Sequence, residues 1–412
     1  MVVLNLYKSN KFIRDSVHGN LPLNDFEIKV LDSPEVQRLR RIKQLGFISL
    51  IYPGANHSRF EHSIGTMFLG SKLAEHLELS NYNKELVRIS AMLHDIGHGP
   101  FSHVSEAVLD VNHEKLTGEI IKKTSLKDII SEKFDINEVI KIINGEGALG
   151  PIISGELDVD RMDYLIRDSH YTGVAYGIID VERIISNMKL DQDLYLDIKG
   201  VQAAESALVA RYQMYPSVYQ HHTTRIINSM FRRCLIRLNE ENIIDFSNMY
   251  NYDDSDIISI CRNHEGFAKD IIERLDNRNL LKNVNSTPLN EFERPQEIFK
   301  IKKEKLNKCE EEISEEMDIE KEYVILNIPE YPNFSEMKTR VSFRGKLFHL
   351  SDISSIVGAL KSAKFNYPDI CLYVPKEDRY KFENFELEKY LELPEKTGKS
   401  FDTIYSDQSK LL

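Results

Sequence analysis

The residues best placed to do chemistry lie in Leu93-His94-Asp95-Ile96-Gly97-His98-Gly99-Pro100. A His-Asp pair stands near the end of an apolar-periodic helix, with a second His four residues on. Adjacent helical residues point about 100° apart, so His94 and Asp95 converge on one ion only from the groove between them. His98 falls one turn from His94 on the same face. Neutral imidazole plus carboxylate is the donor set of a catalytic divalent ion. Taken alone, His94 reads as a satisfied core histidine beside a terminal turn. Its surroundings reverse that reading.

Seven of the thirteen histidines (57, 62, 76, 94, 98, 103 and 113) fall within 57 residues of chain. His62 has small neighbours, with Gly65 one turn on, which lets a metal or a backbone approach closely. Further along, Asp160, Tyr164 and Asp168 are spaced i, i+4, i+8 on one face, with Arg161 beside it. Asp163 and Arg167 make an ordinary i,i+4 pair and read as structural. The spacing points to one ion held by His62, His94, Asp95 and Asp160 from three helices packed as a bundle. Arg59, one turn before His62, is a candidate bidentate phosphate clamp. His98 and His113 are candidates for proton transfer, because histidine alone titrates unaided near neutrality.

Helices must position these groups. Ser33-Pro34 is a cap followed by proline at the first helical position, with Val36, Leu39 and Ile42 after it. Helical spacing covers residues 57–79, 84–97, 157–168 and a long stretch, 203–237. Residues 194–198 are strand-like and are expected to form a hairpin with the segment after Gly200. Residues 241–320 read as polar and helical, ending in a charge run (300–316) expected to be a solvated helix or linker. Strand patterns return at 323–328, 339–343 and 370–374. Ser351 is expected to cap a helix over 352–363. The expected fold is mainly α: a helical bundle around a metal site over 1–240, a helical extension over 241–320, and a small α+β region over 321–412.

Composition bounds the function. Apolar residues at 42% and charged residues at 29% fit a globular protein. No apolar run reaches the ~18 residues a membrane helix needs. The first ten residues lack the shape of a signal peptide. Four scattered cysteines without a CxxC pair read as reduced thiols of a cytoplasmic protein. A net charge of −12 argues against a broad nucleic-acid interface. A small anion needs a local cationic cluster; residues 38–43 and Arg232-Arg233 are the conspicuous ones, though each also reads as a solvated helix face. His18 and His57 read as loop-holding residues, and His221-His222 as structural or solvent-facing.

Taken in order, these motifs resemble the HD phosphohydrolase superfamily, and within it the deoxynucleoside triphosphate triphosphohydrolases. That group includes the core of the vertebrate sterile-alpha-motif-and-HD-domain enzyme and prokaryotic relatives. The likeness rests on Arg59-Phe-Glu-His62, Leu93-His-Asp-Ile-Gly-His-Gly-Pro-Phe-Ser-His103, His113-Glu114 and Asp158-Val-Asp-Arg-Met-Asp-Tyr164. Arg14-Asp-Ser-Val-His-Gly19 and Arg38-Leu-Arg-Arg-Ile-Lys-Gln-Leu-Gly46 belong to it as well. It runs from about residue 11 to residue 237.

The resemblance implies that His62, His94, Asp95 and Asp160 bind a divalent ion (Fe, Mn, Mg, Ni or Zn). It makes His113 a catalytic histidine and His98 a contact to the α-phosphate. Arg59, Arg161 and Arg211 become phosphate-binding residues, although the family often has Lys where Arg161 stands. Gln44, Leu45 and Asp168 would read the sugar, Tyr164 would pack on it, and Tyr219 would lie near the base edge. Tyr215 replaces a His of the vertebrate enzyme. His103 is implied to support the site or face phosphate. The implied reaction is water attack at the α-phosphorus of a dNTP, releasing nucleoside and triphosphate. Asp32, Gln37 and Arg40 match an activator site for dGTP, which in the family is completed by neighbouring subunits, so a homo-oligomer (dimer or tetramer) is implied. Competing readings are another nucleotide phosphatase, a single-strand nuclease, or a non-catalytic nucleotide sensor.

Overall fold

The computed structural model describes residues 11–109, 112–331, 338–363 and 365–397. Helices dominate, and the fold is mainly α, as expected. The central helix, Arg59–His76, is buried along most of its length. Ser58 starts it by accepting from the Glu61 backbone while the Glu61 side chain accepts from Ser58, a reciprocal cap that fixes the helix start. Asn81–Leu93 and Val159–Thr172 pack against this helix. Gly173, in the left-handed conformation, ends the latter. Val36, Leu39 and Ile42 are fully buried in the same apolar core.

The helix expected to run to Gly97 stops at Leu93, so His94 and Asp95 sit in the turn just beyond it. Gly97 lies in that turn, and a Cβ there would stand 2.2 Å from the His113 carbonyl. Only glycine lets the turn press against the His113–Lys123 helix.

The long helix expected over 203–237 is two helices, Val201–Met214 and His222–Glu240. A π turn at Tyr215–Tyr219 separates them. Pro216 has no N–H to continue an α ladder, and Gln220 N bonds Tyr215 O at 2.7 Å. The strand Leu194–Asp197 pairs with the preceding Met188–Leu190; the segment after Gly200, expected to be its hairpin partner, is helical. The same strand also pairs in parallel with Arg340–Phe343, whose antiparallel neighbour Lys346–His349 forms the sheet edge.

Residues 282–288 are a strand where helix is expected. Lys282–Pro288 pairs with Asp369–Val374, which also takes Ile325–Asn327 on its other side. Val284 packs against an apolar core made by that sheet, so the local polarity conceals a half-buried strand. These bonds cross the boundary expected at residue 320. The charge run forms the helix Lys303–Met317, but it is not fully solvated: Cys309 and Ile313 are buried in the same core. Buried Glu310 accepts from Leu326 N and from Arg233. The 352–363 helix is likewise two pieces, Leu350–Ile353 and Ser355–Ser362, the second capped by Ser354 and not by Ser351. No helix among the described residues is long and apolar enough to cross a membrane.

Candidate metal centre and substrate cavity

Four side chains converge where the Arg59–His76 helix, the His94 turn and the Val159–Thr172 helix meet. His62 Nε2 lies 2.9 Å from Asp160 Oδ1 and 3.6 Å from Asp95 Oδ2. His94 Nε2 lies 3.3 Å from Asp95 Oδ1 and 3.6 Å from Asp160 Oδ1. The remaining ring nitrogens are occupied elsewhere: His62 Nδ1 by Asp163 at 2.8 Å, and His94 Nδ1 by the Ala91 carbonyl at 2.8 Å. These Nδ1 contacts fix each ring so that its Nε2 faces the carboxylates. His94 Nε2 is buried with no hydrogen-bond partner. Donor atoms of His62, His94 and Asp160 all lie within 4.8 Å of one another. This set fits a divalent ion: two imidazole Nε2 atoms, that of His94 without a partner, and two carboxylates face one another. The field has the right sign as well. Burial disfavours a charged His62, yet Asp160 and Asp163 outweigh it and push its pKa up to about 10.

Behind these four lies a buried network. Asp163 also takes His18 Nε2 at 2.5 Å and Arg167 Nε at 2.8 Å, and Arg167 reaches Asp15 at 2.8 Å. The expected Asp163–Arg167 pair is present, but Asp163 does more than pair: it orients His62. Gly65 makes room for it, since a Cβ there would stand 2.1 Å from Asp163 Oδ1. The space predicted beside His62 is filled by this network.

A second histidine pair lies next to Asp95. His98 Nε2 is 3.4 Å from Asp95 Oδ1, and the His98 and His113 rings stack with centroids 3.9 Å apart. Their environments split them. Burial, then the charges of Arg59 and His113, push the pKa of His98 well down. Burial opposes a charged His113 too, but Glu106 Oε1, 2.7 Å from its Nδ1, raises its pKa overall. The two environments thus push the stacked rings in opposite directions, His98 toward the neutral form and His113 toward the charged one. His103 is largely exposed at the rim and bonds Glu106 at 3.0 Å.

Arg59 is buried. Its Nε donates to Ser102 Oγ at 2.7 Å and its Nη1 to Asp95 Oδ2 at 2.5 Å. The bidentate face expected for phosphate is turned to these two groups, and Nη2 remains, buried without a hydrogen-bond partner. Arg161 bonds Asp158 at 2.7 Å and the Gly155 carbonyl.

The groups open on one cavity of about 380 Å3. Among the expected residues, Gln44, Leu45, Arg59, His62, Asp95, His98, His103, His113, Asp160, Arg161, Tyr164, Asp168, Arg211, Tyr215 and Tyr219 all line it. His94 does not line it, but its Nε2 lies 3.3 Å from the cavity residue Asp95. Asp168 is buried between His57 Nε2 and the Tyr219 hydroxyl, each at 2.8 Å, so His57 holds a loop, as expected, by way of a cavity residue. Asp32, Gln37 and Arg40 do not line the cavity. Arg40 donates to Gln37 at 2.9 Å and lies 3.6 Å over the Phe60 ring, Gln37 donates to Leu31 O at 2.8 Å, and Asp32 is exposed at the end of the Asp25–Leu31 helix.

Sequence reasoning missed several supports. The 38–43 cluster is not one solvated face: buried Arg38 donates to the His98 carbonyl at 2.7 Å and to the Tyr250 carbonyl at 2.7 Å. Asp254 accepts from Phe101 N at 2.7 Å and from Lys43 N at 2.9 Å. Phe101 and Ser102 both have positive φ (57° and 56°), strained for side chains of any size. Asp254 and Arg59 hold that strain in place. No spacing rule announces a partner 153 residues away.

Comparison with known proteins agrees with this architecture. The HD domain family matches residues 59–168, and the family described as HD associated region matches residues 179–402. An uncharacterized protein of Methanocaldococcus jannaschii is 39% identical over 376 residues, covering 89% of this chain and 80% of its own length. The deoxynucleoside triphosphate triphosphohydrolase SAMHD1 homolog of Dictyostelium discoideum is 31% identical, covering 67% of this chain; the chain spans 60% of that protein. The solved structure of a phosphohydrolase from Bacteroides thetaiotaomicron superposes with a TM-score of 0.73 at 27% identity, covering 89% of this chain and all of that one. The chain belongs to the HD-domain phosphohydrolase superfamily, the metal-dependent hydrolases built on this His-Asp pair.

Proposed function

We propose that this chain is a dNTP triphosphohydrolase, cleaving a deoxynucleoside triphosphate to nucleoside and inorganic triphosphate. The observation that carries the reading is one cavity lined by the His/Asp cluster, by Arg59, Arg161 and Arg211, and by the bonded pair Asp168 and Tyr219. Similarity to the Dictyostelium triphosphohydrolase supports it.

His62, His94, Asp95 and Asp160 would hold the ion. When bound, a divalent ion supplies Lewis acidity and offsets phosphate charge. The chain does the rest. Neutral His98 and the free Nη2 of Arg59 contact the α-phosphate. His113, whose charged form Glu106 favours, gives a proton to the departing 5′ oxygen. Arg161 and Arg211 spread the charge of the phosphate tail. Asp168, oriented by His57 and Tyr219, accepts from the sugar hydroxyl. A slot closed by Leu45 and Tyr164 disfavours a 2′-hydroxyl, because burying one unpaired costs ~1–3 kcal/mol. Activation by dGTP at Asp32, Gln37 and Arg40, in a homo-oligomer, completes the reading.

Incubation of the purified protein with Mg2+ or Mn2+ and each dNTP tests it. Nucleoside plus triphosphate supports it. Monophosphate plus pyrophosphate, or cleavage of a single-stranded oligonucleotide in its place, overturns it. Added dGTP is expected to change the rate on dATP, and Asp32→Ala to remove that change.

A further inference from the structure

Two of the four cysteines meet outside the cavity lining. Cys234 lies on the His222–Glu240 helix, and Cys261 lies near the end of the helix Asp254–Asn263. Their sulfurs stand 3.5 Å apart, both side chains are fully buried, and both thiols are free. The surroundings are apolar: the pair belongs to the core that also holds Phe231, Leu235, Ile257 and Ile271.

The four sulfurs face different neighbours. Cys371 donates to Asp369 Oδ2 at 3.3 Å, and burial above all pushes its pKa up to about 12. Burial does the same to Cys309. Cys261 goes the other way, because a hydrogen bond from the Cys234 thiol favours its thiolate; the same bond holds Cys234 up. The thiolate is the nucleophile in sulfur chemistry, so Cys261 is the attacking member, with its partner already in contact.

The geometry points to Cys234 and Cys261 as a dithiol–disulfide pair, oxidised by hydrogen peroxide. A disulfide spans about 2.05 Å, so the sulfurs close by about 1.5 Å, shared between two rotatable side chains. Cys261 thiolate attacks one peroxide oxygen and the O–O bond breaks. The sulfur becomes a sulfenic acid, and the hydroxide that leaves takes up the proton Cys261 gave up, as one water. The Cys234 sulfur then attacks the Cys261 sulfur and the S–O bond breaks. The departing hydroxide takes the Cys234 proton as a second water. Two thiols and one peroxide thus give one disulfide and two waters. A small uncharged oxidant suits a sealed apolar site, which a bulky disulfide such as oxidised glutathione does not enter.

The bond would join residues 27 positions apart. It ties the helix that carries the cavity residue Asn228 to the helix whose first residue, Asp254, accepts from Lys43 and Phe101. A cross-link restrains the unfolded chain, so the oxidised protein is the more stable form. Neither cysteine lines the cavity, so the inference is independent of the reaction proposed above.

The test treats the reduced full-length protein with graded hydrogen peroxide, then unfolds and alkylates it for mass spectrometry. The expected product has lost two hydrogens, alkylates at Cys309 and Cys371 only, and yields one linked peptide pair, 234 with 261. Dithiothreitol should restore all four thiols. The oxidised form should melt about 5 °C higher, a gain that Cys234→Ala and Cys261→Ala each abolish. Four alkylated thiols after peroxide, oxygen added to Cys261 without a link, or a link through Cys309 or Cys371 each overturn the pair. A 234–261 link with an unchanged melting temperature overturns its stabilising role.

Discussion

Asp163 Oδ2 sits 2.8 Å from His62 Nδ1, and this one contact decides which nitrogen of His62 faces the cavity. Asp163 is fully buried, flanked by His18 and Arg167, and packed where Gly65 has no side chain. Asparagine at 163 keeps the volume but turns one oxygen into a donor and removes the charge that Arg167 faces. Asp163→Asn is therefore expected to weaken metal retention about 10–100-fold, the usual cost of losing such a partner. Gly65→Ala should act in the same direction by displacing the carboxylate. Metal content after dialysis against a graded chelator reads both, and full occupancy in either variant contradicts the role given to Asp163.

Asp95 faces both His62 and His94 and also takes Arg59. Asp95→Asn is expected to abolish metal retention and turnover together. Retained turnover with a metal-free protein means that the ion is held elsewhere.

Asp254 ties the strained Phe101–Ser102 turn to Lys43 by accepting from the backbone N–H groups of Phe101 and Lys43. Asparagine can accept only one of them and points its NH2 at the other. Asp254→Asn should cost about 1–3 kcal/mol of stability, the penalty for a buried donor left unsatisfied. Activity should drop further than stability, because the turn carries the neighbours of His98. Urea melts and kcat, measured on the same preparation, check this; a fall in neither contradicts it.

His221 caps the helix that carries Arg232, its Nδ1 accepting from Thr223 N at 3.2 Å. Burial, then the charge of His222, pushes its pKa down from 6.5 to about 4. The unfolded chain thus binds more protons between these two values. The contribution of His221 is complete above pH 6.5 and is lost as pH falls toward 4. Partial exposure screens part of the effect. His221→Ser keeps a capping oxygen that does not titrate. The fall in Tm between about pH 7 and pH 5 should be smaller in this variant; an equal fall removes His221 as the cause.

The parts of the site legible in the sequence are those that obey local rules. His94-Asp95 and Asp160-Tyr164-Asp168 carry their geometry in their spacing, and Ser33-Pro34 marks where a helix begins. The supports obey no such rule. Asp163 is visible as the partner of Arg167, yet its bond to His62 depends on how two helices cross, 101 residues apart. Glu106 and Arg38 look like ordinary surface charges until the His113 helix and Tyr250 arrive. The fold shows the same division. Leu93 ends its helix close to where the pattern fades, whereas the strand at 282–288 exists only because Asp369–Val374 lies beside it. Pro216 marks a break that apolar periodicity overrides on paper.

The Asp254–Phe101 contact bears on what counts as the smallest working piece of this protein. Asp253, Asp254 and Tyr250 lie beyond residue 240, yet their bonds to Arg41, Phe101, Lys43 and Arg38 set the shape of the loop after the His-Asp pair. A fragment cut at 240 would retain every ion-facing side chain and lose the hands that hold their loop still. The catalytic unit and the heritable HD module therefore have different edges. Transplanting the module alone would carry over the ligands without the posture that makes them useful.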